Sequence, residues 1–289
     1  MTKNERDTLN KEKYNMVYHY CKLDTFLKII QNKTIRLSDV EKSNDYTERV
    51  FFENKVHEKL VEVLKRKCSE ESVIKMLRVE DMCRKVMNTS SVLYAACFSE
   101  EKDLLSQWRG YADDGTGVSI GFSKDILNTV NNVEYGLTFK KICYDEKEQE
   151  KIVRDYVKVI LQTMNQKNWF ASFAEIYENR IEEIGCMKSP GFAEEKEWRL
   201  CKAMTPELRI DKEGTFKDFV ISKVHEQCVR NQIVTYIDLS FEKIFNSLIG
   251  EVVIGPKAKV SEVDIRRSLY MNGFTENKIE ISKASVTYR

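Results

Sequence analysis

Along residues 16–37 the spacing of apolar positions changes period twice. Val17-Tyr18-His19-Tyr20-Cys21 reads as a strand. Leu23, Phe26, Leu27 and Ile30 then share one helical face over Asp24–Gln31, and Ile35-Arg36-Leu37 makes a short second strand. A polar loop from Ser38 to Asp45 follows. From Thr47 to Met87 the period is helical: Phe52, Val56, Leu60 and Leu64 recur at i+4, and Val73, Met76, Leu77, Cys83 and Met87 form a second stripe.

A β-rich block comes next. Val92–Phe98 predicts a buried strand, and Val118, Ile120 and Phe122 alternate with smaller residues, with Asp113-Asp114-Gly115 as the turn before them. Phe139–Tyr144 predicts another strand. Residues 146–184 hold neither Gly nor Pro and carry apolar pairs at 152/153, 156/157 and 160/161, which predicts two helices with a break near Asn165–Asn168. Pro190-Gly191 opens a loop, and Glu195–Ala203 predicts a strand with Trp198 and Leu200 on one face and Glu195, Glu197, Arg199 and Cys201 on the other. The rest reads strand Ile233–Leu239, helix Phe241–Leu248, strand Glu251–Ile254, a capped helix from Ser261 and Asp264 to Asn272, and a strand over Ile279–Ser282.

The expected architecture is α+β: a flexible segment 1–13, then one domain over 14–289. Its centre is a mostly antiparallel sheet, with helical insertions near 47–87 and 146–184. Composition adds exclusions. With 47 Lys+Arg against 46 Asp+Glu the net charge is +1, which removes a globally basic nucleic-acid coat but permits a local basic patch. No run approaches 18 apolar residues and the start lacks an apolar signal core, so no membrane partner and a cytoplasmic location are expected. No two of the eight cysteines are closer than Cys83 and Cys97, so zinc-type spacing is missing and no metal site is expected.

Three polar clusters interrupt apolar strands. His19 sits between two tyrosines, with Ser38, Asn44 and Asp45 soon after; alone, it also fits a core histidine bonded to backbone. In Ser106-Gln107-Trp108-Arg109-Gly110-Tyr111, two aromatics flank an arginine. They could stack on a flat heterocycle while the guanidinium holds a phosphate, or simply pack a helix end on the sheet. In Glu194-Glu195-Lys196-Glu197-Trp198-Arg199, strand geometry puts two carboxylates about 7 Å apart beside a cation. A solvated edge strand would look similar, but Trp198, Leu200 and Cys201 favour a central one.

The stretches YHYCKLDTFLKIIQNKTIRLSDVEKSNDYTE, CFSEEKDLLSQWRGYADDGTGVSIGF, EKEWRL and SVTYR resemble the bacterial family of domain of unknown function 2971. More distantly, the order of a strand histidine, a central aromatic block and a late strand glutamate resembles ADP-ribosyltransferases of the His-Tyr-Glu type. That resemblance implies an ADP-ribosyltransferase-like fold and NAD as substrate. His19 and Ser38 would lie at the ribose, Trp108 or Tyr111 would stack on nicotinamide, and Arg109 would hold the pyrophosphate. Glu197 would be the catalytic carboxylate, and Glu195 would activate a protein or nucleic-acid acceptor. The middle block lacks a Ser-Thr-Ser run, which leaves the stacking residue open. A toxin or antiphage effector is the biological setting it implies. Two other readings remain: a nucleotide sensor or scaffold without turnover, and a Mg²⁺ nuclease built on Asp45 with Glu194 and Lys196. Strand phase separates them, because the nuclease needs Glu194 and Lys196 in the pocket and the transferase needs Glu195 and Glu197.

Overall fold

The computed structural model describes residues 15–42, 47–90, 92–131, 137–163, 172, 176, 185–204, 214–215, 219–229, 231–274 and 279–288, with 47–50, 87–90 and 214–215 described by backbone alone. The segment 1–13, Asn44, Asp45 and the helix break near Asn165–Asn168 lie outside the described residues.

Strand β1 (Met16–Cys21), helix α1 (Leu23–Asn32) and strand β2 (Thr34–Asp39) open the fold. α1 buries Phe26, Ile29 and Ile30, and Lys33 ends it in the left-handed region at φ 53°. Two long helices follow, α2 (Thr47–Lys67) and α3 (Glu70–Ser90), then β3 (Val92–Ser99), the seven-residue α4 (Leu105–Tyr111) and β4 (Val118–Ser123). Next are α5 (Lys124–Asn128), β5 (Leu137–Lys141), α6 (Glu146–Thr163) and β6 (Glu197–Met204). Three short strands, β7 (Gly214–Thr215), β8 (Val220–Ile221) and β9 (His225–Val229), precede β10 (Gln232–Ser240). α7 (Phe245–Leu248), β11 (Ile249–Ile254), α8 (Glu262–Met271) and β12 (Glu280–Lys283) close the described chain.

The strands form one open sheet in the order β12-β11-β4-β1-β3-β2-β10-β8-β7, with β6 also on β3, β5 on β6 and β9 on β10. Among these strand pairs only β11–β12 is parallel. The expected mostly antiparallel sheet is therefore present in a mixed α/β chain. Its branch point is β3. One edge of β3 pairs with β6 along its whole length, Val92↔Met204 to Ser99↔Glu197. The other edge is shared: β2 takes it at Ser38↔Ala95 and Asp39↔Tyr94, and β1 takes it at Tyr18↔Ser99. Between those contacts, Ala96–Phe98 face a notch.

Both faces of the sheet are covered. On one, Phe26 and Ile30 of α1 pack with Leu37, Phe98, Ile120 and Leu200. On the other, Phe52, Val56, Leu60 and Leu64 of α2 and Val153, Val157 and Ile160 of α6 pack over Ala95 and Cys201. Each such side chain taken out of water contributes roughly 1.5–3 kcal/mol, so the helical insertions at 47–90 and 146–163 build the core on that face.

Several expected boundaries shift, each for a local reason. Pro190–Glu195 is a 3₁₀ helix rather than open loop, with proline presetting φ at its start. Lys196 then turns left-handed at φ 44°, so β6 begins at Glu197, not Glu195. The strand expected over Phe139–Tyr144 ends at Lys141, and Cys143 instead makes a lone bridge to Met187. Only Phe245–Leu248 of the helix expected from Phe241 is helical. The capping box of Ser261 and Asp264 forms as expected.

Candidate functional site

His19 fills the notch in the sheet. Its Nδ1 lies 2.9 Å from the carbonyl oxygen of Cys97. A carbonyl only accepts, so Nδ1 carries the hydrogen and the neutral ring presents Nε2 as an acceptor. Burial pulls the His19 pKa below its ordinary value, with the Cys97 carbonyl offsetting part of the effect. The ring also lies 5.7 Å from that of Phe98.

Opposite stands a cluster of four charges, three of them buried and the fourth, Glu195, half-buried. Arg199 Nε donates to Glu197 Oε1 at 2.6 Å and its NH2 to Oε2 at 3.2 Å, while NH1 donates to the Gly185 carbonyl at 2.8 Å. Lys188 Nζ reaches Glu195 Oε2 at 2.7 Å and Glu197 Oε2 at 3.3 Å. Two carboxylates thus face two cations, and the cluster is neutral overall. Burial pushes the Glu197 carboxyl up, but Arg199 and Lys188 outweigh it and hold the pKa below the usual range. Glu195 enters this cluster from the 3₁₀ turn, not along a strand face: Lys196 rotates the chain between the two glutamates, and Ser99 Oγ donates to the Glu195 carbonyl at 2.7 Å. Two residues that sequence reasoning missed hold the arrangement. Lys188 is itself 2% exposed, and Gln149 of α6 fixes its backbone by donating Nε2 to the Lys188 carbonyl at 2.9 Å. A lone lysine two residues before a proline carries no spacing that would have marked it.

The third wall is α4. His19, Cys97, Gln107, Tyr111, Glu195 and Glu197 line one pocket of about 50 Å³. That is room for a few waters or the edge of a ring. His19 and Glu197, 178 positions apart, therefore meet there. Trp108 does not. Its ring is fully buried against Tyr20 at 4.8 Å, and Nε1 donates to Asp103 Oδ1 at 2.7 Å, so the stacking face expected of it is covered. Tyr111 is the aromatic of that block left at the pocket. Arg109 is exposed and sits 5.8 Å above the Tyr288 ring, away from the lining residues. Ser38 pairs with Ala95 and Tyr236 inside the sheet and does not line the pocket. Glu194 is exposed, and Lys196 pairs with Glu101 at the surface, so neither turns inward as a nuclease would need.

α4 is held from behind by a strap. Asp103 Oδ2 accepts from Ser285 N at 2.6 Å, Ser285 Oγ at 2.6 Å and Val286 N at 3.1 Å, while Oδ1 takes Trp108. Burial raises the Asp103 pKa, but these hydrogen bonds prevail and hold it low. Tyr288 Oη donates to Asp114 at 2.7 Å, and Lys257 reaches the same carboxylate at 2.8 Å. The return into β4 needs Gly117, where a Cβ would stand 2.1 Å from the Cys21 carbonyl oxygen.

Residues 107–200 match the family model described as Protein of unknown function (DUF2971). The matched span holds Gln107, Tyr111, Lys188, Glu195, Glu197 and Arg199, and leaves His19 outside it. No curated protein and no solved structure matches the chain. No described helix is long and apolar enough to cross a membrane.

Proposed function

We propose that the pocket cleaves the nicotinamide–ribose bond of NAD and passes ADP-ribose to a protein or nucleic-acid acceptor, on an ADP-ribosyltransferase-like sheet. The observation that carries this reading is a neutral histidine sharing one pocket with Glu195 and with Glu197, whose carboxyl Arg199 and Lys188 hold below its ordinary pKa. Nε2 of His19 accepts from a ribose hydroxyl. Tyr111 stacks on nicotinamide in place of Trp108. As the C1′–nitrogen bond breaks, its electron pair goes to nicotinamide and positive charge develops at C1′. Glu197 answers that charge, as carboxylates do at glycosidic bonds. The acceptor then attacks C1′ and gives its proton to Glu195. Binding must widen the pocket, and the α4 wall carrying Gln107 and Tyr111 is where it opens.

One observation favours a second reading, nucleotide binding without turnover: both oxygens of Glu197 are already engaged by Arg199 and Lys188. A single experiment separates them. NAD labelled in the nicotinamide and in the adenosine is incubated with the protein and cell extract. Free nicotinamide together with labelled macromolecule supports the transferase. Thermal stabilisation by NAD with no nicotinamide released supports the binder, and neither effect overturns both.

A further inference from the structure

We propose that the groove between α2 and α6 binds a small amphipathic anion: an aliphatic body carrying one carboxylate or phosphate head. The groove is separate from the histidine pocket and has a volume of about 400 Å³, within the range of small-molecule sites. Its floor is aliphatic, made by Val63, Val157 and Leu161. Its rim is cationic, with Lys59 and Lys67 from α2 and Arg154 and Lys158 from α6, and no carboxylate lines it among the described residues.

In a chain of net charge +1, four cations around one groove are a local concentration. Glu62 answers Lys59 at 2.7 Å, and Glu150 comes only within 4.0 Å of Arg154. Lys67 and Lys158 have no ion-pair partner among the described residues. The C-terminal end of α2 accounts for Lys67, because cations are favoured there. It does not account for Arg154 and Lys158, which lie mid-helix in α6. Like charges brought together repel unless an anion answers them, and a bound head group would do so. The body is aliphatic because the described floor is: among the described lining residues there is no aromatic ring to stack on a base, which favours an aliphatic ligand over a nucleotide.

The test is calorimetric titration of the full chain with decyl phosphate and with decanoate, both kept below the concentration at which they form micelles. Inorganic phosphate and decanol are the single-feature controls. At least one decyl anion is expected to bind about tenfold or more tighter than either control, and the tighter of the two identifies the head group. The double variant Lys67→Glu, Lys158→Glu is expected to weaken that binding by about tenfold or more. Both side chains are exposed, so an unchanged thermal midpoint checks that the fold is kept. Inorganic phosphate binding as tightly as decyl phosphate, decanol binding as tightly as the anions, no binding at all, or a double variant that binds normally would each overturn the proposal.

Discussion

The imidazole of His19 bonds the backbone of Cys97 in the interval of β3 that lies between its pairings with β1 and β2. A side chain there completes what a neighbouring strand completes elsewhere along the sheet. The same residue is thus structural through Nδ1 and available for chemistry through Nε2.

His19→Ala should remove the hydrogen bond to the Cys97 carbonyl and cost about 1–3 kcal/mol in denaturant titration. The pH dependence has a definite sign. Burial lowers the folded-state pKa of His19, so below about pH 6.5 the unfolded chain takes up a proton that the folded chain refuses. Stability is expected to fall as pH drops from about 7.5 to 5.5, and more weakly in the variant. An equal slope in both proteins would assign the effect to other groups.

Glu197→Gln should cost about 3–5 kcal/mol, because it leaves Arg199 and Lys188 buried with one carboxylate between them. Glu194→Gln, at an exposed position, should stay within about 0.5 kcal/mol. Adding Lys188→Met to Glu197→Gln restores charge balance, so the double variant should be more stable than the two single costs summed, by about 1–3 kcal/mol. Strict additivity would mean that the cluster is not energetically coupled.

Under the transferase reading, Glu197→Gln with Lys188→Met should also lose about 10²-fold or more in nicotinamide release while NAD still binds, since the missing charge acts mainly in the transition state. Release at an unchanged rate per folded molecule would remove Glu197 from the chemistry.

Tyr111→Ala and Trp108→Phe should separate binding from folding. Tyr111 is 38% exposed and lines the pocket, so its loss should weaken NAD binding with under about 1 kcal/mol of destabilisation. Trp108→Phe removes a half-buried hydrogen bond to Asp103 and should cost about 1–3 kcal/mol. If Trp108→Phe weakens binding and Tyr111→Ala does not, the stacking assignment is reversed.

Asp103→Ala should release the strap. Amide exchange at Ser285 and Val286 is expected to accelerate by at least about tenfold, corresponding to hydrogen bonds worth about 1.5–3 kcal/mol to a charged acceptor. Unchanged protection, read by mass spectrometry of that segment, would show that the strap is held by its other contacts.

What could be read from residue order follows the strength of the local pattern. β1, α1 and β2 are legible because Val17, Phe26, Ile30, Ile35 and Leu37 bury one continuous surface at regular spacing. β7 and β8 have two residues each, too short to show any period. At the site, the glutamate pair was visible but its geometry was not. The left-handed Lys196 brings Glu195 and Glu197 to one lysine by a turn, where strand alternation was expected to align them. Trp108 and Tyr111 were indistinguishable in the sequence, since which aromatic of a seven-residue helix faces inward depends on packing against Tyr20, which lies on a strand far back along the chain.

The strap also sets an order of events during synthesis. Ser285 and Val286 follow Asp103 by 182 and 183 positions. At roughly 5–20 residues per second, on the order of ten to forty seconds pass between the emergence of α4 and the arrival of the groups that brace it. A nascent chain therefore carries β1, β3 and β6 well before the wall holding Gln107 and Tyr111 is braced.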